Sequence, residues 1–457
     1  MSSTGERSVA SAPRERSAGA AAVSAFRRML LHPVFILCLA AALCVVAYAQ
    51  ISGRNTRPIG SDGWGYYLPL PALFIYGDPS LSFLNKPDLP HDVAQYRAKD
   101  GIWQGLSPTD TGYRDKYAVG TSVMELPFFL LALAYRSLTH ASVNGFEMSF
   151  QLAVALSGAF YFALGCYLIY RAACLRYSPL ASSLALAFAV LATNLLYYAS
   201  FEPGFSHVYG FCLISALVYL TIRRIELGGA PKLWEFVLFG FLAGAAVMVR
   251  PTNAVAALLY ILFARHADFR RIAGGTLLGF VASAVAALPQ TILWQETTGD
   301  LIYYSYGGEG FNFIDPQVSN YLISVHKGLF FWHPAYLVMI LALIGQLAVR
   351  RFETLIMLLI VALNIYLGAS WGDPYFGDSF GCRPFVEMTP LLVLPMAAAI
   401  ERLANGTWRW LAAGLAAFLI AINLVQFHGY MIGALPHNNT TIDRYVAFWA
   451  RWVGHRR

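Results

Sequence analysis

The placement of arginine constrains this chain more than any other feature. Eleven apolar runs, at approximately 33–52, 148–170, 179–198, 205–222, 233–249, 253–264, 272–293, 331–348, 353–369, 385–401 and 409–430, are joined by loops that alternate between Arg-rich and Arg-poor. A helix needs roughly 20 mainly apolar residues to cross the hydrocarbon layer. Cytoplasmic loops carry the excess of Lys and Arg. With the N-terminus cytoplasmic, the loops holding Arg171/Arg176, Arg223/Arg224/Lys232, Arg265/Arg270/Arg271, Arg350/Arg351 and Arg402/Arg409 all fall inside. The expected fold is an all-α polytopic membrane protein of about eleven transmembrane helices, with a long first extracytoplasmic loop carrying juxtamembrane helices.

Composition agrees: only 12% of the 457 residues are charged and 58% are hydrophobic, too few charges for a soluble surface of this size. The net charge of +7 comes from short interhelical loops and forms no continuous basic face, which argues against nucleic acid. The six cysteines show no regular spacing and read as packing residues. Residues 1–30 read as a disordered cytoplasmic tail, 31–430 as the transmembrane domain with 53–147 as its first outer loop, and 431–457 as an extracytoplasmic tail. Leu126–Tyr135 is apolar but short, bounded by Glu125 and Arg136 and broken by Pro127. It is expected to lie flat on the outer face, because counting it as a span would turn every later basic loop outward. Gly240 and Gly244 form a GxxxG pair, the signature of close helix packing.

The Arg-poor side holds the residues that carry chemistry. Asp62 lies in Ser61-Asp62-Gly63-Trp64-Gly65-Tyr66-Tyr67, about ten residues past the first run. A carboxylate shielded by Trp64, Tyr66 and Tyr67 has the character of a general base, and the glycines permit close approach of a ligand. The plainer reading is a helix cap. Arg250 precedes Pro251, Lys327 lies in His326-Lys327-Gly328-Leu329, and Arg383 lies in Gly381-Cys382-Arg383-Pro384, each at the end of an apolar run. Cations at such depth need a partner or a function, and together they suit a phosphate or pyrophosphate. Against this, Arg383 has Glu387 one helical turn on, and the other two have lipid headgroups within reach. Lys116 is a further phosphate candidate. Trp64, Tyr66, Tyr67, His326 and Asp378 are candidates for binding substrate; Asp378 and Asp373, which flank one Gly-rich turn, suit sugar hydroxyls or a divalent cation, the plainer reading being turn residues that bond their own backbone. His207, His326 and His333 lack metal-ligand spacing.

These features resemble the GT-C superfamily of polyprenyl-phosphate-dependent glycosyltransferases. The members most alike are protein O-mannosyltransferases, lipid A aminoarabinose transferases and rhizobial lipopolysaccharide galacturonosyltransferases. The likeness rests on Ser61-Asp62-Gly63, the Lys116-to-Pro127 stretch, Gly240–Arg250 with Pro251, His326-Lys327-Gly328-Leu329 and Gly381–Arg383. Two departures stand out: Asp62 lacks an acidic neighbour, and Lys116 is followed by Tyr117-Ala118-Val119-Gly120 where Lys-Pro-Pro is common. The resemblance implies a bacterial inner-membrane enzyme that moves a sugar from a polyprenyl-phosphate donor to a glycan, lipid or protein acceptor on the extracytoplasmic face, with inversion. It implies Asp62 as base and Arg250, Lys327, Arg383 and Lys116 around the donor phosphate, with no cofactor and no required divalent cation. A transporter or flippase of a lipid-linked or anionic solute, or a non-catalytic assembly subunit, explains the cations without a base.

Overall fold

The computed structural model describes residues 23–53, 57–98, 100–373 and 375–454. The tail expected over 1–30 lies outside the described residues up to 22, and its last part, 23–30, is helical. The main helices are α1 (Pro33–Ile51), α2 (Asp62–Tyr67), α3 (Gly120–Leu138), α4 (Met148–Ala173), α5 (Pro179–Leu191), α6 (Ser206–Leu227), α7 (Leu233–Val249), α8 (Phe269–Thr298), α9 (Ala335–Ile344), α10 (Arg351–Ser370), α11 (Thr389–Ala404), α12 (Arg409–Met431) and α13 (Ile442–Gly454). The only sheet among the described residues is a short two-stranded antiparallel hairpin, Leu106–Pro108 with Tyr113–Asp115, in the first loop, and the fold is otherwise helical as expected.

Seven helices among the described residues are long and apolar enough to cross a bilayer: α1, α4, α6, α8, α10, α11 with its preceding 3₁₀ turn, and α12. The other four expected spans are shorter apolar helices: α5, α7, Pro251–Phe263, and Ala335–Ala348, which begins with α9. Local chemistry breaks them. The run at 179–198 stops where the Thr193 and Asn194 side chains take over backbone hydrogen bonding, and Pro251 starts a 3₁₀ segment after Arg250. α6 and α11 are buried centrally, whereas α1, α8 and α12 turn most of their apolar surface outward. Such contiguous exposed apolar surface requires hydrocarbon around it. The chain is an integral, multi-pass membrane protein.

Helices α7 and α8 meet through glycine. A Cβ on Gly240 would collide with the Gly279 backbone, and one on Gly244 would lie 2.7 Å from Ser283 Cα. The Ser283 hydroxyl also donates to the Gly240 carbonyl at 2.6 Å. This is the close approach that the GxxxG spacing anticipates.

The two ends of the bundle differ in charge chemistry. At one end Arg176 reaches Glu226 (2.6 Å) and Glu353 (2.8 Å), while Arg265 also holds Glu353 (3.1 Å). The opposite end gathers the start of α6, the end of α7 and the start of α4, joined by Arg250 to His207 and Tyr209 to Ser157. Helix α3 belongs to this second end. It is a continuous 19-residue helix through Pro127, not the short broken segment expected. Gly120 abuts the backbone of Met248 and Val249, and Arg136 pairs with Glu147 at 3.2 Å. Both ends of α3 therefore return to the same end of the bundle. Glu125 is not a boundary charge: it is buried and accepts from Tyr209 at 2.9 Å, and burial pushes its carboxyl well above the ordinary range.

The first loop has its own core of Trp64, Tyr67, Trp103, Phe146 and Phe150. It docks α2 against α3 and α4 and so fixes where Asp62 stands. All six cysteines are free.

Leucine at Gly240 should destabilise the detergent-solubilised protein by roughly 2 kcal/mol or more through overpacking. Leucine at Gly274, where nothing lies within 4 Å of an added Cβ, should leave the thermal midpoint near that of the unmodified chain.

Candidate active site

A cavity of about 670 Å³ opens at the second end of the bundle, lined by Asp62, Tyr66, Lys116, Tyr117, His207, Arg250, Tyr306, Glu309, Asp373 and Arg383, among others. Five separate stretches of chain supply these groups. The first loop gives Asp62 and Lys116, the start of α6 gives His207, the end of α7 gives Arg250, the 299–317 connection gives Glu309, and the segment before α11 gives Asp373 and Arg383.

Asp62 begins α2, and its carboxylate is fully engaged. Arg383 lies 2.6 Å from Oδ2, the Tyr117 hydroxyl donates to Oδ1 at 2.7 Å, and Gln104 approaches Oδ1 at 3.4 Å. Burial pushes its pKa up, but the Arg383 charge and the hydrogen bonds from Tyr117 and Arg383, with Lys116 nearby, outweigh it and hold Asp62 below the ordinary carboxylate range. Burial, reinforced by the same carboxylate, drives the Tyr117 hydroxyl well upward. Ser61, just before it, has a φ of 50° and ψ of −131°, a costly backbone for a non-glycine residue of the kind that persists at functional sites.

The neighbouring glycines serve the protein itself rather than a ligand. A Cβ on Gly65 would collide with the Tyr117 ring, and one on Gly63 would sit 3.3 Å from the Gly204 backbone. Tyr66 packs on Tyr117 with ring centres 4.6 Å apart and lines the cavity. Trp64 and Tyr67 do not line it. Trp64 stacks between Tyr96 and Trp103, and the Tyr67 hydroxyl donates to Gly145 O at 2.5 Å. They face opposite to Tyr66 on this short helix and build the loop core, which corrects their expected place around substrate.

Arg250 is steered by two buried groups. His207 Nδ1 lies 3.0 Å from Glu387 Oε1, and one Arg250 guanidinium nitrogen approaches both ring nitrogens of His207, at 3.0 Å from Nδ1 and 3.2 Å from Nε2. Arg250 Nε also lies 3.5 Å from Glu387. Glu387 thus serves Arg250, and the helical pairing of Arg383 with Glu387 expected from spacing does not form. Lys116 lines the cavity too, bonded to Glu309 at 2.7 Å.

Lys327 is not at the cavity. It is buried, donates to the carbonyls of Ser379 and His437, and lies against the rings of Trp332 and Tyr430. Burial pushes its pKa down to about 7, against the pull of Asp378 and Glu202. It fastens the 370–384 loop to the C-terminal segment. His326 stacks on Tyr375, with ring centres 4.6 Å apart, and Asp378 is exposed outside the cavity wall. Asp373 lines the cavity while accepting from the Tyr375 and Gly377 amides. Among the described residues no group of three or more His, Cys, Asp or Glu is placed to hold a metal ion.

Sequence reasoning missed Tyr117, Glu309 and Gln104, none of which stands in a motif. It also missed Glu202, in the turn before α6, whose carboxyl burial drives up to about 8 despite Arg383. Glu387 was visible only as a neighbour of Arg383.

Among solved structures the chain is similar to ArnT from Cupriavidus metallidurans in its apo state, with a TM-score of 0.51 over 92% of this chain and 76% of that one, at 14% sequence identity. The likeness is one of fold, and it agrees with the polytopic helical fold expected from the apolar runs. No protein-family model and no curated protein matches the sequence.

Replacing Asp62 by Asn leaves Arg383 without its counter-charge and should cost about 1–3 kcal/mol at neutral pH. Because the folded pKa is depressed, that stabilisation is present above the unfolded carboxylate value of about 3.9 and is lost as pH falls through the lower folded value. Thermal midpoints of the two proteins should differ clearly at pH 6 and converge towards pH 3.

Proposed function

We propose that this protein is a glycosyltransferase that moves a sugar from a polyprenyl-phosphate donor to a hydroxyl of an envelope acceptor, with inversion, on the extracytoplasmic side of a bacterial inner membrane. The observation that carries this reading is the Asp62–Arg383 pair, open to a cavity that also holds Arg250 and Lys116. The Arg-rich end of the bundle is then cytoplasmic, as is the N-terminus. The isoprenoid tail lies in the bilayer while the phosphate enters the cavity.

The acceptor hydroxyl attacks the anomeric carbon and forms the new glycosidic bond as the bond from that carbon to the phosphate oxygen breaks. Asp62 takes the hydroxyl proton, and polyprenyl phosphate leaves with one more negative charge than the donor carried. That extra charge gives Arg383 and Arg250 a larger stabilisation in the transition state than in the ground state. Phosphate is a weak base, so no general acid is needed.

The pairing in the free protein adds a constraint. With Arg383 bound, Asp62 is a poor base. A donor phosphate that draws Arg383 away removes the charge holding the carboxylate down, so Asp62 gains basicity when the donor is in place. Glu387 and His207 keep Arg250 facing the cavity throughout. Lys327, expected beside the phosphate, has no part in this scheme.

Purified protein incubated with radiolabelled polyprenyl-phosphate sugars and envelope extracts should label an acceptor. Asp62→Asn should lower transfer by about two orders of magnitude or more while keeping donor binding, and Arg383→Gln should raise the donor KM at least about tenfold. A fully active Asp62→Asn protein removes the base, and movement of labelled lipid across the bilayer without a new glycosidic bond supports a flippase instead.

A further inference from the structure

Helix α13 follows α12 at the cavity end of the bundle and does not continue it. The Tyr445 ring lies 5.0 Å from Phe331 and its hydroxyl accepts from Gln426 at 2.6 Å. Phe448 fits the gap left by Gly429, and Trp452 lies 5.7 Å from His428, which in turn reaches Tyr48 in the last turn of α1. The helix therefore runs across the ends of α12 and α1.

Its apolar sector is wider than the protein covers. Tyr445, Phe448 and Trp449 pack inward, but Ile442 and Val446 continue the same face and are 54% and 57% exposed. Asp443, Arg444 and Arg451 form the opposite side, all exposed. Arg444 gives one N–H to Asn439 O at 3.1 Å, and the sequence beyond adds Arg456 and Arg457.

α1 and α12 both turn apolar side chains outward, as Tyr48 and Leu424 show, so the helices that α13 crosses are bounded by hydrocarbon. An amphipathic helix lying along the end of a lipid-facing bundle seats in the interface, which puts its arginines at headgroup level. Arg444 and Arg451, which pair with no carboxylate among the described residues, then have an anionic partner.

We propose that α13 is an interfacial anchor that binds anionic phospholipid headgroups through Arg444 and Arg451, with Ile442 and Val446 in the acyl layer. The test uses the full chain in nanodiscs of phosphatidylcholine alone or with phosphatidylglycerol, reading amide hydrogen exchange over 442–454. An arginine near an anionic surface contributes about fivefold, so exchange should slow by about that factor or more when phosphatidylglycerol is present. The paired substitution Arg444→Gln and Arg451→Gln should erase the dependence on lipid, and Val446→Asp should speed exchange in both compositions. Equal exchange of the unmodified chain in the two lipids overturns the proposal, as does a phosphatidylglycerol effect that survives the paired substitution. Unchanged exchange in Val446→Asp overturns the acyl seating. Sugar transfer is not the readout, so this result is independent of the proposed reaction.

Discussion

The contact between Asp62 and Arg383 joins two segments more than three hundred residues apart, and the cavity exists because they meet. Asp62 is carried by a loop with its own aromatic core, and Arg383 by the turn that opens α11. Neither group is stable alone at this depth, since a charge removed from water needs a partner and further hydrogen bonds. Tyr117 supplies one such bond to the carboxylate. Loop placement and span packing are coupled through these few atoms.

The same rule governs the other cations. Arg250 has Glu387 with His207 beside it, and Lys116 has Glu309. Lys327 solves the problem differently, by giving its protons to two carbonyls and its charge to two aromatic faces. Two solutions to one desolvation problem separate the cations that remain at a cavity from one that pins a loop.

Sequence alone made the bundle legible because apolar length and arginine placement report directly on hydrocarbon. Arg250 and Arg383 stand at ends of apolar runs and Asp62 about ten residues past one, and the fold brings the three to one cavity. Depth is what those signals encode, and depth is all that Lys327 has in common with them. Which way a side chain turns around a short helix is not encoded by depth. So Trp64 and Tyr67 looked equivalent to Tyr66, yet only Tyr66 faces the cavity. Partners such as Tyr117, Glu309 and Glu387 come from other segments, and no local spacing announces a contact between loops.

Pairing every cation that lines the cavity has a consequence for any anionic ligand. A phosphodiester that enters finds Lys116, Arg250 and Arg383 already matched to carboxylates, so it binds by exchange and not by filling an empty charge. Exchange at Arg383 necessarily releases Asp62, whereas exchange at Arg250 is resisted by Glu387 and His207, both buried behind it. The two arginines are therefore not equivalent. Arg250 is held as a fixed donor by partners that water and ligand do not reach. Arg383 is shared between the carboxylate and whatever anion competes for it, and that sharing links occupancy of the cavity to the protonation chemistry of Asp62.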